Sequence, residues 1–169
     1  KNGNFMVKTK TEEVAQAPIL ISSLHPAVTL SLLAPELCRS SYRQRIESAT
    51  GTVASFILFL GMKPGAFPYF NHNVYYHKGP DIWDEPGLSG NDWPGMFLLS
   101  MSCTSEDQKF ADGVTLMTYM NYEEVKQWQH TRSGNRGQDY IDFKEERTQR
   151  LLQFAGKAFP GLLPAIDHI

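Results

Sequence analysis

Apolar positions along the chain follow a strand period in some segments and a helix period in others. The run TVASFILFLGM at residues 52–62 is almost wholly apolar and rich in β-branched and aromatic side chains. It predicts a strand that is covered on both faces. Apolar runs at residues 96–102 and 114–120 predict a strand pair joined by the polar linker SEDQKFADG. Residues 73–77 predict one more short strand within a proline- and glycine-rich stretch.

Helical spacing is clearest near the end of the chain. Residues 139–159 carry apolar side chains close to one face and charged side chains on another, which predicts a long amphipathic helix ended by Pro160. A shorter helix is predicted over residues 122–128, capped by Asn121. Two more are predicted after Pro26 and after Ser40.

The first 25 residues predict strands rather than helices. Residues 5–9 alternate in polarity, and the apolar triplet at residues 19–21 predicts a short buried strand. Strands and helices therefore mix without strict alternation. The predicted fold class is α+β, a mostly antiparallel sheet packed by helices. A chain of 169 residues with 41% hydrophobic content favours a single domain spanning residues 1–169.

Charge and cysteine content narrow the function classes. The chain has 16 Lys and Arg against 18 Asp and Glu, a net charge of −2, and no basic stripe, so no nucleic-acid partner is expected. Two cysteines do not make a disulfide scaffold. Nothing in the sequence indicates membrane association, and without the apolar core of a signal peptide the predicted location is cytoplasmic.

Common catalytic motifs do not occur in this sequence. No two glycines are separated by a single residue, so the G-x-G-x-x-G dinucleotide cradle is missing, as are a phosphate loop and a nucleophile elbow. His72 and His77 lie near Asp81, Asp84 and Glu85, but their odd spacing favours loop or surface histidines over a metal site. No catalytic residue and no metal site are therefore predicted.

The chemistry that remains is apolar. Aromatic and methionine side chains recur on the predicted strands, where they form either ordinary core or one wall of a site for a hydrophobic ligand. The candidate substrate-binding residues are Phe56, Phe59, Tyr75, Phe97, Met117 and Tyr119.

Four segments in this order resemble the phytoene desaturase-like flavoproteins, with the carotenoid isomerase and retinol saturase branch as the closest. These segments are PILISSLHPAVTLSLL, SYRQRIESATGTVASFILFLGM, WPGMFLLSMSCTSEDQKFADGVTLMTYM and YIDFKEERTQRLLQFAGKAFPGLLPAI. The turn at residues 22–26 echoes, with substitutions, a Ser-Asn-Ala-Asp-Pro-like turn of the family. Where the family usually has an Asp-Pro turn, residues 104–107 instead read Thr-Ser-Glu-Asp.

The resemblance implies an enzyme built around FAD. Family members bind FAD and carry out redox or isomerisation reactions on long conjugated lipids, and their FAD cradle lies outside the region matched here. The chain would then be a fragment, the substrate-side domain of an FAD-dependent oxidoreductase, with no cofactor on this chain alone and little activity of its own. Its implied partners are a hydrophobic, carotenoid- or retinoid-like substrate and the FAD-binding domain of the same polypeptide, with a fragment dimer through the exposed domain interface as a further expectation.

The resemblance also marks Ser22, Ser23 and His25 as a flavin-proximal turn. Beside a serine pair, His25 also suggests hydrolytic chemistry, but without an elbow or an oxyanion hole a role in shaping the turn is the better interpretation. The alternative for the whole chain is a stand-alone apolar-ligand-binding or protein-interaction module with no catalysis.

Overall fold

The computed structural model describes residues 3–49, 53–80 and 89–169. The chain forms two compact units, Lys1–Thr50 and Gly51–Ile169, called here the N-terminal and C-terminal units. The prediction that residues 1–169 make one substrate-side domain stays a prediction. Both units combine helices and antiparallel strands, which confirms the α+β class.

The N-terminal unit is a small hairpin followed by two short helices. Strands β1 (Phe5–Lys8) and β2 (Val14–Ala17) pair antiparallel. Helix α1 spans Pro26–Leu32 and helix α2 spans Ser40–Glu47. The two helices are linked by the Arg43 guanidinium, which donates to the Leu30 carbonyl at 2.6 Å. Leu30 is the only buried residue among residues 3–49.

The predicted buried strand at residues 19–21 is wrong. Ile19, Leu20 and Ile21 form no strand and are 74%, 43% and 91% exposed. No described strand pairs with this triplet. An apolar run that has no hydrogen-bonded neighbouring strand is not stabilised as part of a sheet.

The C-terminal unit is built on a five-stranded antiparallel sheet. The strand order is β4-β5-β6-β3-β7, so the last strand of the chain pairs with the first strand of the unit. The strands are β3 (Val53–Met62), β4 (Val74–His77), β5 (Met96–Ser102), β6 (Gly113–Asn121) and β7 (Ile166–His168). Four of these strands follow the sequence prediction, and the three-residue β7 was not foreseen.

One long helix covers one face of the sheet. Helix α3 spans Gln138–Ala158, close to its predicted bounds, and α4 (Leu162–Ala165) follows directly. Leu151 and Ala155 of α3 are fully buried against the sheet. The helix predicted over residues 122–128 is instead two 3₁₀ turns, Tyr122–Glu124 and Lys126–Trp128.

The core lies between α3 and the sheet. Phe97 of β5 is fully buried and packs edge-on against Phe154 of α3, with ring centres 5.6 Å apart. Leu58 and Leu60 of β3 and Leu116 of β6 belong to the same apolar cluster. The alternation of buried and exposed residues along β3 and β6 follows from a sheet that is packed on this side only.

Candidate functional site

The opposite face of the sheet is an apolar surface that α3 does not cover. In β3 and β6 the even-numbered residues enter the core and the odd-numbered residues point away from it. This surface is called the open face. Its positions are Val53, Ser55, Ile57, Phe59, Tyr75, His77, Met96, Leu98, Ser100, Thr115, Met117 and Tyr119.

A row of four large side chains crosses the open face at right angles to the strands. Tyr75 lies opposite Leu98, Leu98 opposite Met117, and Met117 opposite Ile57. Adjacent strands lie about 4.8 Å apart, so the row spans about 14 Å. One continuous apolar strip therefore runs over β4, β5, β6 and β3, four of the five strands of the sheet.

The open face carries no full charge, and its positions are exposed or, as at Leu98 and Met117, half-buried. Phe59 is 70% exposed, Tyr75 64% and Ile57 42%, all high values for large apolar side chains. None of its positions in β3 to β6 is Asp, Glu, Lys or Arg. Such a surface favours an uncharged ligand, since an unpaired charge placed there would lose its hydration without compensation.

One end of the open face turns polar. Gly61 of β3 lies opposite His168 of β7, and a Cβ added at Gly61 would overlap the His168 imidazole. The neighbouring Gly113 lies opposite Ser102, and a Cβ added at Gly113 would lie 2.8 Å from the Ser102 hydroxyl oxygen. The Nδ1 atom of His168 lies 3.1 Å from an Asp167 carboxylate oxygen. At this end of β3 and β6 the open face therefore offers hydrogen-bonding groups.

The predicted substrate-binding residues divide between the two faces. Phe59, Tyr75, Met117 and Tyr119 belong to the open face. Phe97 is fully buried under α3 and has no access to a ligand on the open face. Phe56 also points to the core, where its ring packs edge-on against Trp93 at 5.8 Å. The structure therefore brings together four of the six candidates.

Two members of the row were missed by sequence reasoning. Leu98 and Ile57 lack the aromatic ring or sulfur that drew attention to the other candidates, yet they complete the row that runs from Tyr75 on β4 to β3. The signal that identifies them is strand register, because a residue directly opposite a candidate shares its face.

Strand β3 is not covered on both faces, which corrects the sequence prediction. Ile57 and Phe59 are exposed while Leu58 and Leu60 are buried. An apolar run of this kind is typical of a strand between two helical layers, but α3 lies on one side of the sheet and no described element of the C-terminal unit covers the other.

The turn at Ser22, Ser23 and His25 is a helix cap in this structure. The Nδ1 atom of His25 accepts from the Ala27 backbone N–H at 3.2 Å, at the start of α1. The Ser22 hydroxyl lies 2.7 Å from the Thr29 hydroxyl. Both groups thus have local partners, and the turn has no glycine cradle with which to hold a flavin phosphate. Proximity of this turn to a flavin stays a prediction.

Titratable groups do not gather into a catalytic centre in the described ranges. No set of three or more His, Cys, Asp and Glu there is placed to hold a metal ion, and Asp81, Asp84 and Glu85 lie outside those ranges. Hydrogen bonds from the Thr104 hydroxyl and backbone N–H lower the pKa of Asp112. A hydrogen bond from Ser105 similarly lowers the pKa of Asp107. The lower pKa favours the ionised carboxylate in both residues, so neither is suited to donate a proton near neutral pH.

A concave feature separate from the open face lies beside the start of α3. It is a hollow of about 340 Å³ lined mainly by polar residues, including Arg136 and Lys144. The Arg136 guanidinium lies 4.7 Å from the centre of the Tyr140 ring. This hollow shares no residue with the open face and none with the predicted substrate-binding set.

Comparison with models of known protein families, with curated proteins and with solved structures finds no match to this chain. Within the described residues, no helix is both long enough and apolar enough to cross a membrane.

Proposed function

We propose that the C-terminal unit binds a hydrophobic small molecule on its open face, and that the chain forms the substrate side of an FAD-dependent oxidoreductase or isomerase. The uncharged row formed by Tyr75, Leu98, Met117 and Ile57 supports the ligand-binding part of this proposal. The resemblance to phytoene desaturase-like proteins supplies the reaction class. An elongated conjugated lipid fits a strip of about 14 Å, the width of four strands.

In such an enzyme the chemistry would belong to the flavin. FAD carries out the hydride or electron transfer, and the surrounding protein binds the substrate, orients it and excludes water. The residues of this chain that would do so are those of the open face, since the Ser22 and His25 groups already have local partners. Ligand sites bury most of their ligand, so an open sheet face supplies one wall and a further domain would supply the other.

Binding of a conjugated polyene to the isolated chain tests the ligand-binding part. All-trans-retinol absorbs where tryptophan emits, and Trp93 lies under the sheet in edge contact with Phe56. We expect quenching of tryptophan emission with a micromolar Kd. Phe59→Ser combined with Tyr75→Ser should weaken binding at least about tenfold, because each truncation removes roughly 1 kcal/mol of apolar contact.

The matched control for that variant is Ile21→Ser combined with Ile141→Ser. These two isoleucines are 91% and 52% exposed and lie outside the open face. Their truncation should leave the Kd within about twofold of the wild-type value. Equal weakening by both double variants would contradict binding on the open face.

The flavoenzyme part has a separate test. The polypeptide that contains this chain should include a G-x-G-x-x-G motif ahead of Lys1 and should purify yellow with bound FAD. A colourless polypeptide without the motif, whose isolated 169-residue chain still binds retinol on the open face, would favour the alternative of a stand-alone apolar-ligand-binding module.

A further inference from the structure

We infer that, without a ligand, the open face is covered by the open face of a second copy of this chain, in a twofold face-to-face dimer. The inference depends on the open face alone and not on the flavoenzyme assignment. Its starting point is the exposure of Phe59, Tyr75, Ile57, Val53 and Tyr119, which ranges from 70% down to 39%. Five large apolar side chains on one side of one sheet form a surface that water solvates poorly.

The area of the open face suits a second copy. Phe59 and Tyr75 together expose roughly 250 Å², taking about 200 Å² for an aromatic side chain. With the other open-face positions the total reaches roughly 600 Å² per copy, or roughly 1,200 Å² for the pair, the lower bound of specific interfaces. A dimer of this size is expected to dissociate in the micromolar range, since interfaces near this bound tend to be weak.

Charge also favours a second copy over other partners. The open-face positions of β3 to β6 include no Asp, Glu, Lys or Arg, so two such faces meet without burying a charge. A nucleic acid or an acidic protein would find no lysine or arginine on these strands. A membrane surface is normally held by Lys and Arg around an apolar patch, and these strand positions provide none.

Sheet geometry permits the arrangement. Two sheets pack face to face about 10 Å apart, with strand directions within about 30° of each other. A twofold axis in the interface, parallel to the strands and between β5 and β6, places β3 of one protomer over β4 of the other. Ile57, which is level with Tyr75 in the row, then lies over the partner's Tyr75, and Phe59 lies two residues further along β3. The interface is the same patch on both copies, and the assembly closes at two.

Sedimentation velocity of the wild-type chain from about 1 to 200 µM, without ligand, tests the dimer. The weight-average sedimentation coefficient should rise from the monomer to the dimer value over this range. Phe59→Glu should stay monomeric at every concentration, because dimerisation would bury two carboxylates without partners. Phe59→Thr, which keeps a strand-forming residue, should shift the midpoint at least about tenfold upward.

Ile141→Glu and Ile21→Glu are the controls, since they place the same charge at exposed isoleucines of the two units. Both should associate as the wild type does. The inference is overturned if the wild type is monomeric throughout, if it forms larger species, if Phe59→Thr leaves the midpoint unchanged, or if Ile21→Glu abolishes association. Because no ligand is present, failure of the dimer is distinguishable from failure of retinol binding.

Discussion

The guanidinium carbon of Arg147 lies 4.7 Å from the centre of the Trp93 indole, and both side chains are almost completely buried. The Arg147 Nη2 atom is 3.1 Å from each Glu124 carboxylate oxygen, while its Nη1 atom is buried with no hydrogen-bond partner among the described residues. The Trp93 indole N–H donates to the Tyr119 carbonyl of β6 at 2.9 Å. Arg147 of α3 therefore contacts Trp93, and Trp93 is hydrogen-bonded to the sheet that bears the open face.

Arg147→Met should lower the free energy of unfolding by about 2–4 kcal/mol, because it leaves the Glu124 carboxylate partly buried without its partner. Glu124→Gln should lower the free energy of unfolding less in the Arg147→Met background than in the wild type. The difference, the coupling energy of the pair, should be at least about 1 kcal/mol. Urea unfolding of the four proteins measures both quantities. In the exposed pair of Lys126 and Glu123, 2.9 Å apart, Lys126→Met should change stability by less than about 0.5 kcal/mol. A similar loss of stability from Arg147→Met and Lys126→Met would argue against a special contribution of the buried ion pair.

Phe97 and Phe59 belong to opposite faces of one sheet, so replacing each by alanine should change the stability by different amounts. Phe97→Ala removes a fully buried ring and should reduce stability by about 3–5 kcal/mol. Phe59→Ala, at a position 70% exposed, should reduce it by less than about 1 kcal/mol. Chemical unfolding compares the two directly. A large loss from Phe59→Ala, measured at a concentration where the wild-type chain is monomeric, would mean that the open face is packed within the monomer.

Thr118 is a buried polar residue on the core side of β6. It is 1% exposed, and its hydroxyl donates to the Met96 carbonyl at 2.6 Å. Thr118→Val keeps the shape and loses the hydrogen bond, so stability should fall by about 1–2 kcal/mol. Thr115→Val, three residues earlier on the open face, provides the control and should be neutral or slightly stabilising in thermal unfolding.

The pKa of Asp112 should be measurably below the ordinary aspartate value. Its carboxylate accepts first from the Thr104 hydroxyl at 2.6 Å and then from the Thr104 backbone N–H at 2.5 Å. A pKa that is lower in the folded state stabilises the fold above the unfolded-state value of about 3.9, and that stabilisation is lost as the pH falls through the folded-state pKa. Carbon-13 NMR titration of the carboxyl groups reports the value. Thr104→Val should raise the pKa and Thr104→Ser should not.

Most of the secondary structure of the C-terminal unit could be predicted from local pattern. Strands β3, β5 and β6 are apolar runs bounded by turn residues, and α3 has a long 3.6-residue period that ends before Pro160. The three-residue β7 has no such signal, since its pairing with β3 depends on residues about a hundred positions apart. The triplet at residues 19–21 shows the opposite error, an apolar run that pairs with no described strand.

The sequence predicts which residue types form the candidate site, but not which individual residues belong to it. Aromatic and methionine content pointed to Phe59, Tyr75, Met117 and Tyr119, which share the open face, and equally to Phe56 and Phe97, which do not. Residue type carries no information about the face on which a side chain lies, whereas register does. Leu98 and Ile57 enter the site only because they lie opposite Met117.

The sequence by itself determined that this chain is an α+β protein with apolar strands, one long amphipathic helix and no common cofactor loop. These properties depend on side chains that are close in sequence, where periods of two and 3.6 residues and the positions of proline and glycine are decisive. Only the tertiary structure decided that residues 53–62 are buried on one side and exposed on the other. A helix covers a sheet through contacts between residues far apart in the chain, and the apolar pattern of a strand is the same whether one layer or two pack against it.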